Sequence, residues 1–147
     1  MVGVGEAAPD FVAKGSAGSS VRLAELRGHP VILYFYPKAS TPGCTIETKA
    51  FRDLHPEFTK RGVKVLGVST DEVEDQDTFA KNCSVPFPLL ADPSKEITRK
   101  YGVLGLAGVA RRVTFFIAAD GKVAEIVDSS RPGPHVDRAR DLYLAPP

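Results

Sequence analysis

Apolar residues recur along the chain in two rhythms. One is unbroken. Val31-Ile32-Leu33-Tyr34-Phe35-Tyr36 is bounded by Pro30 and Pro37 and is rich in β-branched and aromatic residues, so it predicts a strand buried on both faces. Residues 63–69 (Val63-Lys64-Val65-Leu66-Gly67-Val68-Ser69) predict a second buried strand, and residues 113–118 a third. The other rhythm begins after Pro42. Ile46, Ala50, Leu54 and Phe58 recur every four residues, which predicts a helix with that face inward. Pro56 is expected to end or kink it near His55. Strand, long helix and strand make a βαβ unit, so the strands at 31–36 and 63–69 should run parallel.

The remaining segments are shorter. Residues 1–20 carry many Gly and Ser residues and predict a loose hairpin, with strands at 10–13 and 20–23 and a helical turn at 23–26. Thr70 or Asp71 suits the cap of a helix from about 74 to 83, with Val73, Phe79 and Ala80 inward. Pro86-Phe87-Pro88 forces extended chain into Leu89-Leu90-Ala91. Asp92-Pro93 opens a helix that Tyr101 ends and Gly102 closes. A loop of small residues fills 104–110. Asp120-Gly121 is a two-residue hairpin signal leading into a strand at 123–127. Pro132-Gly133-Pro134 is expected to break the chain before a last helix at 136–144. The sum is one α/β domain over residues 1–147, a mixed sheet covered by helices, with no repeat, low-complexity tract or linker.

Strand, turn and helix put one residue in a reactive position. Thr41 suits the N-cap and Pro42 the first helical position, so Cys44 falls third in the helix. Its sulfur would lie among unpaired backbone N–H groups at the positive end of the helix dipole, and both favour thiolate over thiol. Gly43 leaves space for a small molecule to approach. The alternative on this pattern is a buried structural cysteine acting as a small hydrophobe.

Composition narrows the setting. A length of 147 residues with 43% hydrophobic and 25% charged residues is ordinary for one globular domain with a substantial core. A formal net charge of +1 implies neither nucleic acid nor a membrane surface as partner. No apolar run approaches the roughly 18–20 residues of a spanning helix. Residues 1–9 lack the basic start and apolar core of a signal peptide, so a cytoplasmic setting is expected by default. Cys44 and Cys83 are too few for a disulfide scaffold and are expected to be chemical rather than structural. His29, His55 and His135 are scattered and read as structural or solvent-facing; with the cysteines they form no metal pattern, so neither metal nor cofactor is expected. No phosphate-binding Gly-rich motif is present. Glu72, Glu74, Asp75 and Asp77 read as a solvated helix face.

The residues around Cys44 also resemble a known family. Pro37, Thr41 and Cys44 form the pattern Pro-x-x-x-Thr-x-x-Cys after an apolar strand, which is the active-site signature of the peroxiredoxins. The fuller string over 34–47, Tyr-Phe-Tyr-Pro-Lys-x-x-Thr-Pro-Gly-Cys-Thr-x-Glu, resembles the bacterioferritin-comigratory-protein (PrxQ) branch. Arg112-Val113-Thr114-Phe115-Phe116-Ile117 is similar to the family's Arg-x-Thr/Ser-Phe strand. The likeness runs from about Gly5 to about Leu142.

The resemblance implies a thioredoxin-like fold, its mixed central sheet flanked by helices, with an N-terminal β-hairpin extension. It implies a thiol-dependent peroxidase that reduces hydrogen peroxide and organic hydroperoxides through a sulfenic acid at Cys44. Pro37, Thr41 and Arg112 are the other residues carried over: Pro37 shields the sulfur, Thr41 places a hydroxyl at sulfur or peroxide, and Arg112 supplies fixed charge and forked donors. Arg111 adjoins it and has the same charge; the spacing to Thr114-Phe115 favours Arg112. Glu47 fits the string and is expected to orient Arg112 or cap the helix, with a surface carboxylate as the alternative.

Many members of this branch carry a second cysteine five residues after the first, where this chain has Lys49. Others place it on the helix after the second strand, where Cys83 lies. Cys83 is therefore expected to resolve the sulfenic acid as a disulfide with Cys44, which thioredoxin or a similar thiol reductant then reduces. The alternative is a free Cys83 with an external resolving thiol. A monomer is implied. The loop between Tyr101 and Arg112 looks shorter than in many relatives.

Two rival functions bracket this reading. A thiol–disulfide oxidoreductase needs Cys-x-x-Cys, and Thr41 and Glu47 occupy the positions three before and three after Cys44. A redox sensor or holdase would use the sulfenic acid as a signal without turnover.

Overall fold

In a computed structural model, which describes residues 1–144, the apolar run after Pro30 becomes the middle strand of a five-stranded sheet. The elements in chain order are β1 (Val12–Lys14), β2 (Ser20–Arg22), β3 (Val31–Phe35), α1 (Pro42–Lys60), β4 (Lys64–Ser69), α2 (Val73–Cys83), β5 (Leu89–Ala91), α3 (Glu96–Tyr101), β6 (Val113–Ile117), β7 (Val123–Asp128) and α4 (Pro132–Tyr143). The large sheet is ordered β5-β4-β3-β6-β7. The βαβ unit pairs β3 with β4 in parallel, Ile32 opposite Val65, and β6 runs antiparallel to β3 with Val113 opposite Phe35. β1 and β2 form a separate antiparallel hairpin, tied to β5 by a bridge between Gly15 and Leu90.

Alternation along β3 divides the core into two layers. Val31, Leu33 and Phe35 face a layer closed by the N-terminal hairpin and α3. Ile32, Tyr34 and Tyr36 face the layer under α1, α2 and α4, which holds both cysteines. Gly67 in β4 makes that second layer possible: a Cβ there would lie 2.8 Å from atoms of Tyr34 and Leu89. The mixed sheet, flanking helices and added hairpin are the architecture the sequence implied.

Several local expectations are corrected. α1 buries Cys44, Glu47, Thr48, Phe51 and Phe58, whereas Ile46 is 62% exposed and Ala50 and Leu54 only edge the core. The inward face includes polar residues with buried partners: Thr48 hydrogen bonds the Tyr34 hydroxyl at 3.0 Å, beside the Phe51 ring. Pro56 does not end the helix near His55; α1 continues through it to Lys60. An interior proline costs about 3 kcal/mol, and burial of Phe51 and Phe58 on either side contributes roughly 1.5–3 kcal/mol each, enough to offset it.

The cap of α2 is Glu72, not Thr70 or Asp71. α3 starts at Glu96 rather than Pro93, because the buried Asp92 carboxylate accepts from the N–H groups of Ile97 and Thr98 and holds that turn from outside. The hairpin between β6 and β7 has a three-residue loop, 119–121, closed by Ala118 N–H to Lys122 O, with Gly121 at φ +88°. Pro132-Gly133-Pro134 starts α4 instead of breaking the chain; in a first turn the missing proline N–H groups cost no hydrogen bond.

Candidate active site

The loop from β3 to α1 is held from below. Asp71, just past β4, accepts from the Ala39 N–H at 2.8 Å and from the Ser69 hydroxyl at 2.6 Å. Ser40 takes a positive φ of 64°, and Thr41 then turns the chain into the helix with extended dihedrals and Pro42 first in line. Thr41 sits at the N-cap position, but its hydroxyl donates to the Lys38 carbonyl at 2.7 Å rather than accepting from a helix N–H or reaching the sulfur. This corrects the expected cap. Thr41 braces the loop.

Cys44 lies in the first turn of α1 and is 1% exposed. Arg112, at the entry to β6, reaches it. Its Nη2 donates to Cys44 Sγ at 3.4 Å, its Nη1 to Glu47 Oε1 at 2.6 Å, and its Nε to the Ser130 carbonyl at 3.0 Å. Adjacent residues of extended chain point to opposite sides. Arg111 accordingly faces outward and pairs with Asp128 on the rim. Gly43 serves this arrangement differently from expectation: a Cβ there would lie 3.0 Å from Arg112 Nη2, so the glycine makes room for the guanidinium.

Glu47 is fully buried, which removes the surface-carboxylate alternative. Burial pushes its carboxyl from 4.5 up to about 7, against the pull of Arg112. For Arg112 burial acts downward, but the charges of Glu47 and Cys44 outweigh it and the guanidinium is raised. The directions are compatible, because desolvation dominates on the enclosed carboxyl and charge attraction on the guanidinium.

The sequence reading did not connect His135 to this cluster. It is a fully buried side chain on α4, hydrogen bonded to Thr114 Oγ1 at 2.7 Å and to the Ser129 carbonyl at 2.8 Å, with its ionised form disfavoured first by burial. Its nearness to Glu47 depends on α4 folding back over β6, which no local pattern in 132–136 records.

A cleft of about 280 Å³ opens beside Arg112, lined by Pro37, Arg111, Arg112, Asp128, Ser129 and Ser130. A larger one, about 340 Å³, lies beyond the end of α2 along Lys81, Ser84, Val85 and Pro86. Cys83 is the last residue of α2, 3% exposed, in the same apolar layer as Cys44, and both thiols are free. Burial raises the Cys83 thiol, and the charges of Lys49 and Arg52 partly offset this. Among the described residues no group of three or more His, Cys, Asp or Glu is placed to hold a metal, and no helix is long and apolar enough to cross a membrane.

Comparison with known proteins agrees with this geometry. Residues 4–126 match the AhpC/TSA family. Peroxiredoxin Bcp of Escherichia coli (strain K12) is 37% identical over 140 residues, covering 90% of this chain and 90% of that protein. The crystal structure of peroxidoxin BcpB from Mycobacterium tuberculosis superposes with a TM-score of 0.90 at 36% identity, covering 98% of this chain and 97% of that one. The Xanthomonas campestris bacterioferritin comigratory protein, studied for its alkyl peroxide reduction activity, superposes with a TM-score of 0.87 at 32% identity over 98% and 96% of the two chains. The chain belongs to the AhpC/TSA family, in the bacterioferritin-comigratory-protein (PrxQ) branch of the peroxiredoxins, a family of thiol-dependent peroxidases.

Proposed function

We propose that Cys44 is the nucleophile of this peroxidase, that Arg112 assists its attack, and that Cys83 resolves the product. The observation that carries the reading is the single guanidinium that donates to the Cys44 sulfur while anchored on buried Glu47. The Cys44 thiolate attacks one oxygen of the hydroperoxide. An S–O bond forms, the O–O bond breaks, and the leaving oxygen takes a proton from solvent to become water or alcohol. Arg112 donors face the region where negative charge moves between sulfur and oxygen, which is where preorganised donors lower a barrier most. Glu47 orients Arg112, Thr41 braces the loop, and Pro37 walls the cleft. Organic hydroperoxides are included as additional substrates, with the cleft bounded by Pro37 and Arg112 as the space for their organic part.

In the second half-reaction the Cys83 thiolate attacks Cys44 Sγ and expels hydroxide, which is protonated to water. A thioredoxin-type dithiol then reduces the disulfide, its own two thiols becoming oxidised. A disulfide requires Cα atoms about 4.4–6.8 Å apart, and both thiols are free and buried on separate helices; the reading has the end of α2 open for Cys83 to arrive. Its terminal position, followed by Ser84 at φ 53°, supports local opening there rather than in the middle of a helix. The reading includes a monomer working in the cytoplasm.

The test is one equivalent of peroxide followed by peptide mapping. A peptide joining Cys44 to Cys83 is expected, and Cys83→Ser should leave a sulfenic acid that a trapping reagent captures. Oxidised Cys44 with Cys83 still alkylatable would make this a one-cysteine enzyme. Cys44→Ser should abolish peroxide consumption; retention of a tenth of the wild-type rate would overturn the nucleophile assignment. A sensor or holdase reacts once, whereas the enzyme turns over with a thioredoxin system.

A further inference from the structure

One buried side-chain atom among the described residues has no hydrogen-bond partner: Oε2 of Glu47. It lies 3.9 Å from His135 Nδ1, and both side chains are fully buried. The partners of the imidazole fix its tautomer. Nε2 is 2.8 Å from the Ser129 carbonyl oxygen, which only accepts, so Nε2 carries the proton. In the neutral ring Nδ1 is then an acceptor, and the Thr114 hydroxyl donates to it across 2.7 Å. Glu47 Oε2 therefore faces a nitrogen lone pair. Thr114 already occupies that lone pair, so at 3.9 Å Glu47 meets the negative side of the ring, which repels a carboxylate and leaves a protonated carboxyl unpenalised. Burial of Glu47, which already raises its carboxyl to about 7, acts in the same direction.

We propose that His135 is a positioning residue for the Cys44 site: acting through Glu47, its Nδ1 favours a proton on the carboxyl that anchors Arg112 and so sets the pH above which that anchor is charged. The proposal rests on the assignment of Arg112 to the peroxide step. With Glu47 ionised, its bond to Arg112 Nη1 is charge-assisted on both sides, and the guanidinium is fixed with Nη2 on Cys44. With Glu47 protonated the anchor is a neutral acid, and the Ser130 carbonyl is the remaining tether. The other groups that face the pair are Arg112 at the entry to β6, the Tyr34 hydroxyl from β3, Cys44 on α1 itself, and Asp128 at the end of β7, which acts on His135. Tyr34 stays neutral at physiological pH because burial raises it further, and Asp128 is engaged by Arg111 on the rim.

Carbon-13 NMR of glutamate-labelled protein reads Glu47 directly, with Glu47→Gln assigning the resonance. The pH profile of the second-order rate constant with hydrogen peroxide is measured beside it. The wild-type carboxyl should titrate near neutral pH, with an inflection in the rate at the same point. His135→Phe keeps a flat ring and removes the lone pair, so both midpoints should fall by about half a pH unit or more. Thr114→Val keeps the shape of the side chain and frees Nδ1 to accept from Glu47, so both should rise. The two variants thus move the midpoints in opposite directions, which a merely structural role would not produce. If His135→Phe does not fold, Thr114→Val decides. A Glu47 midpoint unmoved in the folded variants, or one that moves without the rate profile, overturns the proposal. The NMR readout needs no peroxidase activity, so it stands or falls apart from the assignment of Cys44.

Discussion

Arg52 on α1 donates from Nη1 to the backbone carbonyl of Cys83, at the end of α2, across 2.7 Å. The helix that carries Cys44 in its first turn thus also fastens the residue proposed to resolve it. The Cys83 carbonyl is among the last four of α2, which have no intrahelical N–H, and a cation there also complements the negative end of the helix dipole. The fastening sits at the helix end that the proposed resolution step would open.

Arg52→Ala should therefore speed resolution. A hydrogen bond from a charged donor contributes about 1.5 kcal/mol, so its loss raises the open fraction of the helix end by up to about tenfold. Lys49, the larger of the two charge influences on Cys83, remains in place. Stopped-flow kinetics and mass spectrometry should find the first peroxide turnover unchanged, the Cys44–Cys83 disulfide faster, and less sulfinic acid under excess peroxide. Slower disulfide formation would show that Arg52 acts as a charge on the thiol rather than as a fastening.

The paired arginines should separate cleanly. Arg112→Ala removes the donor on Cys44 and should lower the second-order rate with peroxide by roughly 10²-fold or more. Arg111→Ala removes an exposed rim pair with Asp128 and should change it by less than roughly threefold. The reverse pattern would move the assignment by one residue.

The contrast between these neighbours shows what kind of information the chain makes legible. The buried strands were readable because 31–36 is an unbroken apolar run and 113–118 is interrupted only by Thr114, and the Cys44 turn because Thr41 and Pro42 are local signals of a helix start. The inward face of α1 was misread for one reason: periodicity counts apolar residues, and Glu47 and Thr48 are inside because partners elsewhere satisfy them. The partner of Glu47 is 65 residues away, and that of Thr48 lies on β3. Gly43 was read correctly as leaving space, but the occupant is Arg112, which only the pairing of β3 with β6 brings there. His135 required the packing of α4 as well. Residues whose role depends on one contact across the fold carry no mark in their own neighbourhood.

Glu47 also makes a prediction about stability that its proposed positioning of Arg112 does not require. Burial raises its carboxyl from 4.5 to about 7 in the folded protein. Between these values the folded state holds a proton that the unfolded state has lost, so this contribution is fully present below about pH 4.5 and is lost as pH rises through 7. Each pH unit of the interval corresponds to about 1.4 kcal/mol, which sets an upper limit of about 3 kcal/mol. His135 slopes the other way, because its folded form is depressed by burial, and comparison of wild type with Glu47→Gln cancels that term. Glutamine keeps an oxygen for Arg112 Nη1 and carries no titration. Urea unfolding at about pH 5 and about pH 8 should therefore show wild type losing more stability than Glu47→Gln as pH rises. Should wild type gain on the variant instead, the attraction of Arg112 would outweigh desolvation, and Glu47 would be a permanently charged anchor.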